Sequence, residues 1–167
     1  SFGMRDWYEG YKAEPELPTN VYRVDPSGGI DAVITDIPLP NGLAFSPDES
    51  RLYVVQSAVP RGIRVYDVTK DGKGATNGRR LIEAGEKGAP DGFRLDTLGN
   101  LWCGWGVGEG LNGVRVFDPE GTVLGHIHLP ERCANVVFGG PHRTRLFMTA
   151  SQSLYALHVR VQGVGYA

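Results

Sequence analysis

What this 167-residue chain lacks argues against several function classes. No apolar run approaches the roughly 18 residues that a membrane-spanning helix requires, and the opening residues carry no signal-peptide pattern. The chain opens at Ser1 and not at Met, so the natural N-terminus is open, and with it the compartment. A formal net charge of −2 leaves no basic footprint for nucleic acid and no polybasic patch for a membrane surface; neither partner is expected. Two cysteines, Cys103 and Cys133, are too few for a disulfide framework. Each lies in or beside an apolar, strand-like run and reads as a buried free thiol, with a bridge as the alternative.

Catalytic strings are scarce as well. No G-x-S-x-G elbow is present, so a serine hydrolase has no support. Gly108-Glu109-Gly110-Leu111-Asn112-Gly113 fits the dinucleotide string G-x-G-x-x-G, but it runs into the strand-like Val114-Arg115-Val116 and not into a helix. The required context fails, and a hairpin loop is the better reading. No window shows a helical period.

What the chain has is glycine, 24 residues of it, set between β-rich runs where tight turns are expected. Residues 1–19 read as a long polar loop interrupted by Pro15 and Pro18. Val21 to Asp25 and Ile30 to Ile37 read as two strands joined at Pro26-Ser27-Gly28-Gly29. A block then repeats. Pro40-Asn41-Gly42-Leu43-Ala44-Phe45-Ser46-Pro47-Asp48 returns as Pro90-Asp91-Gly92-Phe93-Arg94-Leu95-Asp96, and again as Ala134-Asn135-Val136-Val137-Phe138-Gly139-Gly140-Pro141. Strands at 51–56, 62–68 and 79–83 follow the first copy, with 70–78 as a loop. Matching runs follow the second copy, ending in 122–129, and the third is followed by 145–150 and 153–159. Four strands in each period of about 40–50 residues is the pattern of a β-propeller. A β-sandwich is the alternative, though it does not call for such parallel internal copies. The chain is expected to be all-β, with about three and a half blades: a loop and the end of an earlier blade at 1–37, then blades at 38–84, 85–130 and 131–167. Rings usually close with about four to eight blades, so further N-terminal blades or a second chain are expected to complete this one.

The innermost strand of a blade lines the central channel. The residue before it should therefore sit at the channel mouth, where Asn41, Asp91 and Asn135 would converge. Amide and carboxylate oxygens gathered on an axis suit a hard divalent cation, Ca²⁺ above all. Asn-Gly and Asp-Gly pairs also favour tight turns, and spacing alone leans to that reading. His126 and His128 share one face of a strand; on an outer strand they read as surface residues. Trp102 and Trp105 read as core or rim packing.

The motifs at 40–48 and 90–96, with Gly99-Asn100-Leu101-Trp102, Phe138-Gly139-Gly140-Pro141 and Leu146-Phe147-Met148-Thr149-Ala150, together resemble the senescence-marker-protein, gluconolactonase and luciferin-regenerating-enzyme family. Ala13-Glu14-Pro15-Glu16-Leu17 with Val21-Tyr22-Arg23-Val24-Asp25-Pro26 looks like its bacterial gluconolactonase branch. The resemblance covers essentially the whole chain. It implies a six-bladed propeller that hydrolyses sugar lactones with one divalent metal in the channel: Ca²⁺ first, with Zn²⁺, Mn²⁺ or Mg²⁺ as alternatives. Asn41 matches the family's metal-binding Asn. Asp91 matches its metal-binding Asp, which is also the proposed base. Asn135 carries no transferable role and remains a channel-lining candidate. A Glu ligand and a substrate-side Asn of the family would lie upstream of Ser1. Glu14 or Glu16 falls near the family's substrate-capping loop. A non-catalytic propeller that binds a partner through its faces is the competing functional reading.

Overall fold

The computed structural model describes residues 15–165. Thirteen strands and no helix form among them, in four antiparallel sheets. β1 (Val21–Val24) pairs with β2 (Ile30–Ile34). β3 (Pro40–Phe45), β4 (Arg51–Gln56), β5 (Gly62–Val68) and β6 (Ala75–Glu83) form the second sheet in chain order. β7 (Ala89–Leu95), β8 (Leu101–Gly106), β9 (Gly113–Phe117) and β10 (Val123–His128) form the third. β11 (Cys133–Gly139), β12 (Arg145–Ala150) and β13 (Leu154–His158) form the fourth.

Strand alternation explains the layering. Along β4, Leu52 and Val54 pack towards Val21, Ile34 and Ile37 beside the first sheet. Tyr53 and Val55 point the other way, into a layer with Phe93, Leu95, Leu101, Cys103 and Trp105 of the third sheet. Successive side chains of a strand lie on opposite faces, so a strand covered on both sides reads as apolar throughout. A third layer, with Val114, Cys133, Val136, Leu146 and Met148, joins the third sheet to the fourth. The sheets therefore follow one another face to face with an apolar layer at each junction. Trp105 is fully buried against Phe117, and Trp102 meets Phe138 edge-on. Both cysteines are buried and unbridged.

Several boundaries differ from the sequence expectation: β3, β7 and β11 begin earlier than expected, at Pro40, Ala89 and Cys133. The stretch 70–78 is only partly a loop, because β6 begins at Ala75 and crosses Thr76-Asn77-Gly78. A turn-like dipeptide is carried there by a register irregularity against β5, with Asn77 at φ 54°. The second strand ends at Ile34 and does not run on to Ile37. The G-x-G-x-x-G string does form the β8–β9 hairpin loop.

Aspartates organise the turns by accepting from backbone N–H groups two and four positions on, the turn chemistry that Asp favours. Asp118 accepts from Glu120 and Thr122, and Asp25 from Ser27 and Gly29. Asp96 is the extreme case: it is fully buried. Its Oδ1 accepts from the N–H groups of Leu98 and Asn100, and its Oδ2 from Asn100 Nδ2 and Trp102 Nε1 at 2.8 and 3.0 Å. The tail docks on the same turn, with Thr97 N–H donating to Gln162 and Val164 N–H to Leu95. Buried donors left without an acceptor cost about 1–3 kcal/mol each. Asp96→Ala is therefore expected to lower unfolding stability by about 3 kcal/mol or more, read from urea denaturation; a loss below about 1 kcal/mol would refute this account.

Candidate active site

The site is built on an irregularity that recurs in every complete inner strand. In β3, Pro40 stands opposite Gln56 and Leu43 opposite Val54, so Asn41 and Gly42 together face one residue of β4. In β7, Pro90 faces Trp105 and Phe93 faces Cys103, which leaves Asp91 and Gly92 as the matching pair. In β11, the shift falls between Cys133 and Asn135. A bulge of this kind inserts one residue and re-aims the side chains beside it. Asn41 and Asp91 therefore lie within their strands and not ahead of them, and the bulge turns them out of the pleat.

Glycine makes the strands approach closely at the same level. A Cβ on Gly42 would come within 2.7 Å of the Asp91 carbonyl oxygen, and one on Gly104 within 2.7 Å of the Cys133 carbonyl oxygen. A Cβ on Gly92 would overlap the Asn135 amide. Only glycine permits such contact between backbones.

The result is a cluster drawn from two sheets and the segment that leads into a third. Asn41 Nδ2 donates to Asp91 Oδ1 at 3.1 Å across 50 positions of sequence, and lies 3.3 Å from Ser57 Oγ. Arg132, from the segment before β11, donates through Nη2 to Asp91 Oδ2 at 2.9 Å. Asp91 and Arg132 keep 22% and 31% of their side-chain surface exposed, so the pair is partly shielded but reachable. The Arg132 stem lies over Gly106, where any Cβ would overlap it. Beside the pair, burial pushes the Cys133 thiol up to about 11, and the Asp91 carboxylate also favours the neutral form. Burial pushes the Cys103 thiol up too. Neither thiol is a nucleophile at neutral pH.

Asn135 behaves differently from Asn41 and Asp91. Counted back from the matched residues Phe45, Leu95 and Phe138, Ala134 occupies the position of Asn41 and Asp91, whereas Asn135 occupies that of Gly42 and Gly92. Its Oδ1 accepts from the neighbouring Val136 N–H at 2.8 Å. It lines a shallow pocket with Arg94, Val137, Phe147 and Thr149. Glu16 is exposed ahead of β1, and Glu14 lies outside the described residues. His126 and His128 stack at 4.3 Å on the outer strand β10, and burial holds His126 below its ordinary value. Among the described residues, no three His, Cys, Asp or Glu side chains gather as a metal cluster.

Sequence reasoning missed Ser57 and Arg132. Ser57 had a signal, since the residue after β4 returns beside the start of β3. Arg132 had none, because 41 positions and a sheet junction separate it from Asp91.

The profile of the SMP-30/Gluconolactonase/LRE-like region matches residues 3–152. The chain belongs to that family. Within it, the chain is similar to the gluconolactonase of Zymomonas mobilis, 34% identical over 155 residues that cover 86% of this chain and 41% of the relative. Pentonolactonase XacC of Haloferax volcanii is 33% identical over 136 residues, 78% of this chain and 44% of that one. The structure of XC5397 from Xanthomonas campestris, described as a gluconolactonase, superposes with a TM-score of 0.78 at 38% identity, covering 93% of this chain and 50% of the other. The chain thus spans half or less of the length of these relatives.

The bulge glycine yields a prediction. Gly92→Ala would press on Asn135 and spread β7 from β11. The substitution is expected to destabilise the protein by about 1–3 kcal/mol in thermal or urea unfolding. An unchanged midpoint would show that the strands are not held in close approach there.

Proposed function

We propose that the chain is part of a β-propeller lactonase in which Asp91 is the general base of sugar-lactone hydrolysis. The observation that carries this reading is the meeting of Asn41 and Asp91, 3.1 Å apart although they come from different sheets. The lactonases among its relatives supply the substrate class. Ring completion by further blades, six in all by the resemblance, or by a second chain is supported by surfaces left open at both ends. Leu43 is half-exposed beside the two-stranded first sheet, and Val137, Leu154 and Leu157 are exposed on the fourth.

Hydrolysis adds water oxygen to the lactone carbonyl carbon, breaks the ring C–O bond and passes a proton to the ring oxygen, giving an open hydroxy acid. Asp91 accepts the proton that the attacking water loses. Asn41 and Arg132 fix the carboxylate plane from two sides, so the base is held in position before substrate enters. Arg132 also brings positive charge to the Asp91 carboxylate, of the sign that stabilises a developing oxyanion. The donor set suits a hard cation: one carboxylate and one amide carbonyl, partly shielded, on adjoining inner strands. Asn41 and Asp91 would hold such a cation, Ca²⁺ first, with the remaining oxygens supplied from outside this chain or by water. When bound, it would supply Lewis-acid polarisation of the lactone carbonyl.

Asp91→Asn removes the base while keeping its shape. In the whole protein it is expected to cut turnover of glucono-1,5-lactone by roughly 10²–10⁴-fold, followed by acid release at constant pH. A near-normal rate would remove Asp91 from the mechanism. No lactone turnover by the wild-type protein would favour a partner-binding propeller, and turnover indifferent to EDTA would remove the cation.

A further inference from the structure

Arg132 brings a fixed positive charge to the carboxylate that the preceding reading gives to a cation. Its Nη2 sits 2.9 Å from Asp91 Oδ2, well within the range of a charge-assisted hydrogen bond. The guanidinium carries donors only, in a planar fork that suits a carboxylate. The residue is not loosely held: its side-chain stem fills the space above Gly106, and its backbone carbonyl accepts from Ser151 N–H at 3.1 Å. Asp91 Oδ1 meanwhile faces Asn41 Nδ2. Both carboxylate oxygens are thus engaged by protein donors, one of them cationic.

We propose that Arg132 is a built-in competitor for the divalent cation: a positioning residue that occupies Asp91 Oδ2 and sets the affinity of the Asn41–Asp91 pair low. The inference rests on that pair being the cation site. Two like charges cannot share one carboxylate without repulsion, and partial burial weakens solvent screening of that repulsion. A cation coordinated by Asp91 must either bind through Oδ1 alone or push the guanidinium aside. A displaced guanidinium can donate hydrogen bonds to a lactone carbonyl or to the carboxylate of the ring-opened product.

The sign of the effect separates this role from a structural one. Damage to the site weakens ion binding, whereas loss of a competitor tightens it. The test is calorimetric titration of Ca²⁺ into the EDTA-treated, dialysed whole protein, for the wild type, Arg132→Gln and Arg132→Lys. Arg132→Gln is expected to bind Ca²⁺ about tenfold or more tightly than the wild type, from the size of a unit-charge repulsion at a half-shielded site. It is also expected to melt at a lower temperature before Ca²⁺ is added, because Asp91 has lost its ion-pair partner. Arg132→Lys keeps the charge, folds with it, and should stay within about threefold of the wild type. Equal or weaker binding by Arg132→Gln, with wild-type binding intact, overturns the competitor role and leaves the lactonase reading standing. Arg132→Lys binding as tightly as Arg132→Gln would also overturn it, since charge would not then be the cause. Absence of Ca²⁺ binding in both the wild type and Arg132→Gln overturns the competitor role and the assignment of the cation to this pair.

Discussion

The close approach of the inner strands is the constraint on which the rest depends. Two glycines, Gly42 and Gly92, let β3 meet β7 and β7 meet β11 at distances no side chain would permit. The bulge beside each glycine then frees one residue from the pleat. Regular alternation would bury Asn41 and Asp91 in an apolar layer or point them apart, at the cost of an unpaired polar group. The irregularity instead leaves both half-shielded, with each supplying the other's hydrogen bond. Packing and chemistry are the same event here, because the contact that seats one sheet on the next also assembles the polar cluster.

Two aspartates on one strand and its turn show how environment assigns a role. Asp96 is fully buried and receives four hydrogen bonds, three of them from residues within four positions. Its carboxylate is saturated by its own turn and has nothing left to offer a ligand. Asp91 sits five residues earlier, keeps part of its surface exposed, and takes its partners from the second sheet and from the segment leading into the fourth. A carboxylate satisfied locally is scaffolding; one satisfied across sheet junctions, at an open surface, stays reachable from outside.

Most of the architecture was legible because its signals are local and repeat. Period-two strands, glycine-rich turns and three copies of one motif point to strand number and order without reference to distant residues. The pairing of Asn41 with Asp91 was legible through the repeat and the family resemblance. What escaped detection depends on hydrogen-bond register. Thr76-Asn77-Gly78 reads as a turn, yet β5 holds it as strand through an irregular ladder. Asn135 looks like a third copy of Asn41, but one residue of phase puts it where the glycines stand. Arg132 belongs to no motif. A guanidinium can reach a carboxylate from many places, and only the packing of the fourth sheet on the third selects this one.

That dependence has a structural consequence for how the site is controlled. Asn41, Asp91 and Arg132 are carried by the second and third sheets and the start of the fourth, so their spacing reports the thickness of the two apolar layers between those sheets. Arg132 is next in sequence to Cys133, which is fully buried among Val114, Val136, Leu146 and Met148. Interiors are close-packed and transmit small changes of volume. A methyl group added or lost in that layer therefore moves the guanidinium relative to Asp91, even though no atom of the site has been altered. The polar cluster need not be rigid in itself, since the layers on either side determine where its charges stand.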